Sequence, residues 1–147
     1  MQVVYIEDNA SNVLLMQRIF RLRPDLELLV ATSGAAGLEL VRRTEPALVL
    51  LDLQLPDMLG QHVLRALKAG SQTAPIPVVV ISGERMDSGS EARQLAGAAE
   101  IIAKPFVLSA LLHSIDRCCD LARPVDPVAN GSSWTPKGRV GSDETPK

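Results

Sequence analysis

Leu48-Val49-Leu50-Leu51-Asp52-Leu53-Gln54-Leu55-Pro56 is the run on which the fold turns. Its first four residues are apolar without alternation, the pattern of a strand whose two faces both avoid water. The run then stops on a carboxylate, and Pro56 opens a loop. A strand of this kind belongs to a parallel sheet covered by helices on both sides. Working outward, similar short runs occur at 3–6, 28–31, 47–51 and 78–81, with a weaker one at 101–103. All five read as strands buried on both faces.

The stretches between them carry helical spacing. Leu15, Ile19 and Leu22 share a face with Met16 and Phe20; Leu38 and Val41 follow Gly34; Val63 and Leu67 follow Gly60. Leu108, Leu111, Leu112, Ile115 and Cys119 form the clearest stripe, and only 88–99 is weakly patterned. Five strands alternating with five helices predict an α/β fold: a flavodoxin-like, doubly wound five-stranded parallel sheet of order 2-1-3-4-5.

The chain of 147 residues is long enough for one domain of ordinary size. Apolar residues make up 46% of it and aromatics only 3%, so the core must be built from aliphatic side chains. A net charge of −2, with no Lys/Arg run, argues against direct nucleic-acid binding and against a polybasic membrane patch. The N-terminus turns acidic at Glu7-Asp8 after a very short apolar run, unlike a signal peptide or a membrane span, so a cytoplasmic location is expected. Cys118 and Cys119 are adjacent and read as helix core residues, since such a pair alone builds neither a disulfide framework nor a metal site. From Arg123 the periodicity stops and Pro and Gly punctuate a polar stretch. We expect a domain over 1–122 and a disordered tail or linker over 123–147, with Trp134 as one aromatic too isolated to order it.

In an open parallel sheet, ligands bind beyond the carboxyl ends of the strands, where the winding reverses. Glu7 and Asp8 follow the first strand and Asp52 closes the third. If those strands are neighbours the carboxylates converge, and crowded like charges call for a hard divalent cation, Mg²⁺ or Mn²⁺. Beside such a cation Asp52 is a competent nucleophile toward phosphorus. Ser82-Gly83 after the fourth strand offers a hydroxyl and a closely approachable backbone N–H, and Lys104-Pro105-Phe106 after the fifth offers a point charge. Each piece alone is an ordinary turn or cap; four at four strand ends are a site.

These residues resemble the receiver domains of bacterial two-component signalling, over about 3–121. The resemblance implies that Asp52 is the phosphoacceptor and that Asp8, Asp52 and the backbone carbonyl of Gln54 ligate Mg²⁺, with Glu7 acting through water. It further implies that Pro56 and Gly60 belong to the following loop, that Ser82 is the switch hydroxyl, that Gly83 and Lys104 help bind the phosphoryl group, and that Lys104-Pro105 is a cis-prolyl bond. The donor would be a sensor histidine kinase or a histidine phosphotransfer protein. The protein would be a signalling phosphoacceptor, not an enzyme beyond its own phosphorylation and dephosphorylation. Its output would be the surface of the fourth helix, fifth strand and fifth helix, which could also pair two copies. One departure stands out: the switch position three before the lysine, commonly aromatic, is Ile101 here. Gln54 and Glu84 are placed to tune phosphoryl lifetime, whereas His62 and His113 lie in predicted helices away from any strand end.

The rival readings are a pseudo-receiver that binds partners unphosphorylated and a receiver fragment of a hybrid histidine kinase. A phosphatase of the haloacid dehalogenase type needs a second acid where Gln54 stands, and a flavin-binding protein needs a hydroxyl-rich loop after the first strand that is missing here.

Overall fold

Backbone pairing joins five parallel strands, β1 (Gln2–Ile6), β2 (Glu27–Ala31), β3 (Leu48–Asp52), β4 (Val78–Ser82) and β5 (Glu100–Ala103), in the order β2-β1-β3-β4-β5. The structure is a computed structural model that describes residues 1–83 and 93–122, with side chains to Cys119. Among the described residues four helices connect or follow the strands: α1 (Ala10–Phe20), α2 (Gly34–Thr44), α3 (Gly60–Ala69) and α4 (Leu108–Ala122). The expected helix between β4 and β5 lies largely outside the described residues, as do Glu84, Trp134 and the whole of 123–147. Among the described residues no helix is long and apolar enough to cross a membrane.

Because successive side chains of a strand point to opposite faces, alternate residues of each strand meet opposite helical layers. Val3, Tyr5, Leu48, Leu50, Val79 and Ile81 pack with α1 and α4; Val4, Ile6, Val49, Leu51, Val78 and Val80 pack with α2 and α3. Burial on both faces holds for β1, β3 and β4 but not for the outer strands. β2 is only partly buried and β5 alternates, leaving Ile101 44% exposed. An edge strand has one neighbour and less helical cover, so its apolar residues are half-solvated.

The α1 face also differs from expectation. Met16, Ile19 and Phe20 are buried, whereas Leu15 and Leu22 are exposed. The helix is rotated so that the i, i+3, i+4 set starting at Met16 meets the sheet, and Leu15 lies at the margin of that stripe. Leu108, at the start of α4, is likewise exposed while Leu111, Ile115, Cys118 and Cys119 are buried. The two cysteines are not disulfide-bonded, and burial pushes the Cys118 thiol up to about 11.

Helix starts are set by side chains the sequence advertises. Asn9 Oδ1 accepts the Asn12 N–H at 3.0 Å to cap α1, and Ser33 Oγ accepts the Ala36 N–H at 3.1 Å to cap α2. Gly60, the first residue of α3, is required by packing: a Cβ there would lie 2.5 Å from Leu53 Cα and 2.6 Å from the Asp52 carbonyl oxygen. Its N–H donates to the Leu53 carbonyl at 2.8 Å, and Gln54 bridges to Leu59, closing the 53–60 loop on itself.

Candidate functional site

Register aligns the strand ends. Ile6 sits opposite Leu51, Asp52 opposite Ile81, and Ser82 opposite Ala103, so Glu7, Asp52, Ser82 and Lys104 emerge at one edge. The Glu7 N–H donates to the Ala31 carbonyl at 2.9 Å, and the Lys104 N–H to the Ser82 carbonyl at 2.8 Å, each extending the ladder by one rung.

Glu7, Asp8 and Asp52 offer carboxylate oxygens that all lie within 4.8 Å of one another. Asp8 is exposed, while Glu7 and Asp52 are 1% and 6% exposed. Lys104 Nζ stands between the buried pair, 3.4 Å from Glu7 Oε1 and 3.5 Å from Asp52 Oδ1. These groups line an open bowl of about 610 Å³ together with Asn9, Asn12, Gln54 and Pro56.

The two buried acids titrate apart. Burial first, then the hydrogen bond and charge of Glu7, push Asp52 up to about 6, against the pull of Lys104. Burial also pushes Glu7 upward, but hydrogen bonds to Asp52 and the Asn9 N–H, the charge of Lys104 and the Tyr5 hydroxyl together hold it below the usual glutamate value. Carboxylates so close cannot both be comfortable anions beside a single ammonium, and a hard divalent cation fits what the donor set lacks.

The structure brings Glu7, Asp8, Asp52, Gln54 and Lys104 into one bowl. Ser82 is buried at the adjoining strand end and Gly83 is exposed next to it, and neither is among the residues lining the bowl. A Cβ at Gly83 would meet none of the described residues within 4 Å. The Lys104-Pro105 bond is cis, matching the expectation. Ile101 pairs with Val80 on the edge strand and lies away from the carboxylates, while Glu84 falls outside the described residues. His62 and His113 are exposed on helices and line neither the bowl nor its neighbour.

Sequence reasoning missed three residues that brace the site, and one polar anchor away from it, Lys68. Tyr5, read as part of an apolar run, donates its hydroxyl to Glu7 Oε1 at 3.0 Å, and Asn12 Nδ2 donates to the same oxygen at 3.1 Å. A tyrosine inside a buried strand two residues before an acid was the available signal, because a buried hydroxyl needs a partner. Asp57 takes the Gly34 and Ala35 N–H groups at 2.8 and 2.9 Å, clamping the loop after β3 to the start of α2; those bonds hold its carboxyl below the usual range. Lys68 donates to the Ala74 and Ile76 carbonyls at 2.9 and 2.8 Å.

A doubly wound sheet of this order, with paired acids after β1, an acid ending β3 and a lysine after β5, defines a class. The sequence matches the response regulator receiver domain family over residues 3–116. The chain belongs to that family. It is 31% identical over 140 residues to the regulatory protein LuxO of Vibrio cholerae, covering 95% of this chain but 30% of LuxO. It is 29% identical over 113 residues to the polar-differentiation response regulator DivK of Brucella ovis, covering 77% of this chain and 91% of DivK. In fold it is similar to the receiver domain of a sensor histidine kinase from Pseudomonas aeruginosa, whose active-site cleft is described with a coordinated magnesium ion. That likeness has a TM-score of 0.74 at 20% identity, over 81% of this chain and 97% of the other.

Proposed function

We propose that this receiver domain is a phosphorelay switch in which Asp52 takes a phosphoryl group from the phosphohistidine of a sensor histidine kinase or phosphotransfer protein. The observation that carries the reading is the three-carboxylate cluster with Lys104 held almost equidistant from Glu7 and Asp52. Asp8, Asp52 and the Gln54 carbonyl would hold Mg²⁺ or Mn²⁺, with Glu7 behind them. When bound, the cation supplies positive charge that keeps the acids ionised and neutralises the transferring phosphoryl oxygens.

The ionised Asp52 oxygen attacks phosphorus, forming an acyl phosphate as the bond to the donor's imidazole nitrogen breaks, and that nitrogen recovers a lone pair. Lys104 donates to the arriving oxygens, joined by the Ser82 hydroxyl and the Gly83 N–H. The added charge moves Ser82 and Lys104 inward and alters the face carrying β5 and α4, which is also the face proposed for pairing two copies. Residues 1–122 would be the switching unit, acting in the cytoplasm, and 123–147 a tail or linker. The chain's relation to the longer LuxO leaves a hybrid or multidomain setting as a compatible context.

Intact-mass measurement after incubation with acetyl phosphate and Mg²⁺ tests this. The native chain should gain one phosphoryl group and Asp52→Asn none. Absence of an adduct, together with no spectral response to beryllofluoride, would favour the pseudo-receiver reading instead.

A further inference from the structure

Three donors converge on one oxygen of Glu7. The Tyr5 hydroxyl lies 3.0 Å away, Asn12 Nδ2 3.1 Å and Lys104 Nζ 3.4 Å, while the other oxygen takes the Asn9 N–H at 3.2 Å. The two nearest donors to that shared oxygen are neutral and fixed to the frame. Tyr5 is 2% exposed inside β1 and Asn12 sits in the first turn of α1. Lys104 is the outlier: its side chain is 26% exposed, and its contacts to Glu7 and to Asp52 are both at the long limit of a hydrogen bond.

We propose that Tyr5 is a positioning residue that satisfies Glu7 with a neutral donor, so that Lys104 stays shared with Asp52 and available to charge arriving there. The idea rests on the phosphoacceptor reading of Asp52. A carboxylate 1% exposed cannot turn to bulk water for a missing donor. Without the tyrosine hydroxyl the demand of Glu7 falls on the one donor with room to move, and the ammonium is pulled off Asp52. The ring itself belongs to the α1/α4 core and also lines an apolar cavity of about 380 Å³ with Leu15, Met16 and Phe106. Tyr5→Phe therefore keeps the packing and removes only the oxygen.

The test combines a crystal structure of Tyr5→Phe with phosphorylation kinetics. In the variant the Lys104–Glu7 contact should shorten to about 2.8–3.0 Å and the Lys104–Asp52 contact should open beyond hydrogen-bond reach. Phosphorylation by acetyl phosphate at saturating Mg²⁺ should slow about tenfold, the scale of one hydrogen bond to a charged group. Mg²⁺ affinity should stay within about twofold, and Tyr5→Phe should slow the reaction no further when Lys104 is already alanine. Three results would overturn the proposal: an unmoved lysine with water in place of the hydroxyl, a parallel loss of Mg²⁺ affinity, or an equal slowing in both lysine backgrounds. A native chain that takes no phosphoryl group would sink the phosphoacceptor reading instead, and the lysine position in the variant structure would still decide the role of Tyr5.

Discussion

Asp52→Asn separates the charge of the site from its shape, because a carboxamide keeps the planar outline of the carboxylate and loses the anion. In the metal-free protein burial, followed by Glu7, raises this carboxyl from 3.8 to about 6. Below about pH 4 the acid is protonated in both folded and unfolded chains and costs nothing. Between that point and about 6 the native state holds more protons, so stability falls as pH rises, and above about 6 the loss is complete. A difference of that size corresponds to roughly 3 kcal/mol. Glu7 works the other way: held below its ordinary 4.5, it adds stability above that value and loses it as pH falls. Since the two acids titrate as a pair, the asparagine variant should be more stable than the native chain by roughly 1–3 kcal/mol near neutral pH without metal, and about equal near pH 4.

Urea unfolding in chelator and then in Mg²⁺ measures this directly. Ligand at about a hundred times its dissociation constant adds roughly 2.7 kcal/mol to the chain that binds it. Mg²⁺ should therefore raise the native chain to or above the variant, which gains little. Coincident stabilities of the two proteins from acid to neutral pH in chelator would refute the electrostatic reasoning, because it would mean that ionised Asp52 carries no penalty in the fold.

Other expectations concern the frame. Gly60→Ala drives a methyl into the backbone of Asp52 and Leu53 and should cost about 1–3 kcal/mol in denaturant unfolding. Gly83→Ala meets none of the described residues, so its stability should stay within about 0.5 kcal/mol while acetyl phosphate labelling of Asp52 falls. Lys68→Met leaves the Ala74 and Ile76 carbonyls without their ammonium donor and should lower stability by about 1–3 kcal/mol in the same assay. Asp57→Ala should lower the melting temperature at neutral pH, with the gap closing as acid protonates the native aspartate and its bonds to the start of α2 are lost.

The runs around Leu48–Asp52 revealed the sheet because a strand buried on both faces cannot hide its composition. The edges were harder to read: Ile101 and Leu28 belong to apolar runs, yet a single neighbour leaves them partly solvated. α1 misled for a related reason, since Leu14, Leu15 and Leu22 surround the true stripe and periodicity alone does not say where the sheet lies. The acids and Lys104 were legible because each ends a strand. Tyr5 and Asn12 lie only two and five positions from Glu7, and their local signal was passed over, whereas Asp57 was not legible because it meets residues 34 and 35 across 23 and 22 positions of sequence.

The rim of the bowl is firmly braced on its β3 side, and under the proposed function this bears on where a signal would leave it. On the β3 side, the Gly60 N–H on Leu53, the Gln54 bridge to Leu59 and the Asp57 clamp on α2 tie the 53–60 loop to two helices. Gly60 forbids even a methyl group of extra space there. On the β4–β5 side, among the described residues, a backbone bond from Lys104 to Ser82 continues the ladder and the lysine head is shared at long range between two acids. A charge added at Asp52 would therefore meet a braced wall on the β3 side and, across from it, a lysine whose contacts are both at the long limit of a hydrogen bond. With an aliphatic, exposed Ile101 at the position where the family commonly carries an aromatic, the proposed switch would act through displacement of Lys104 and Ser82.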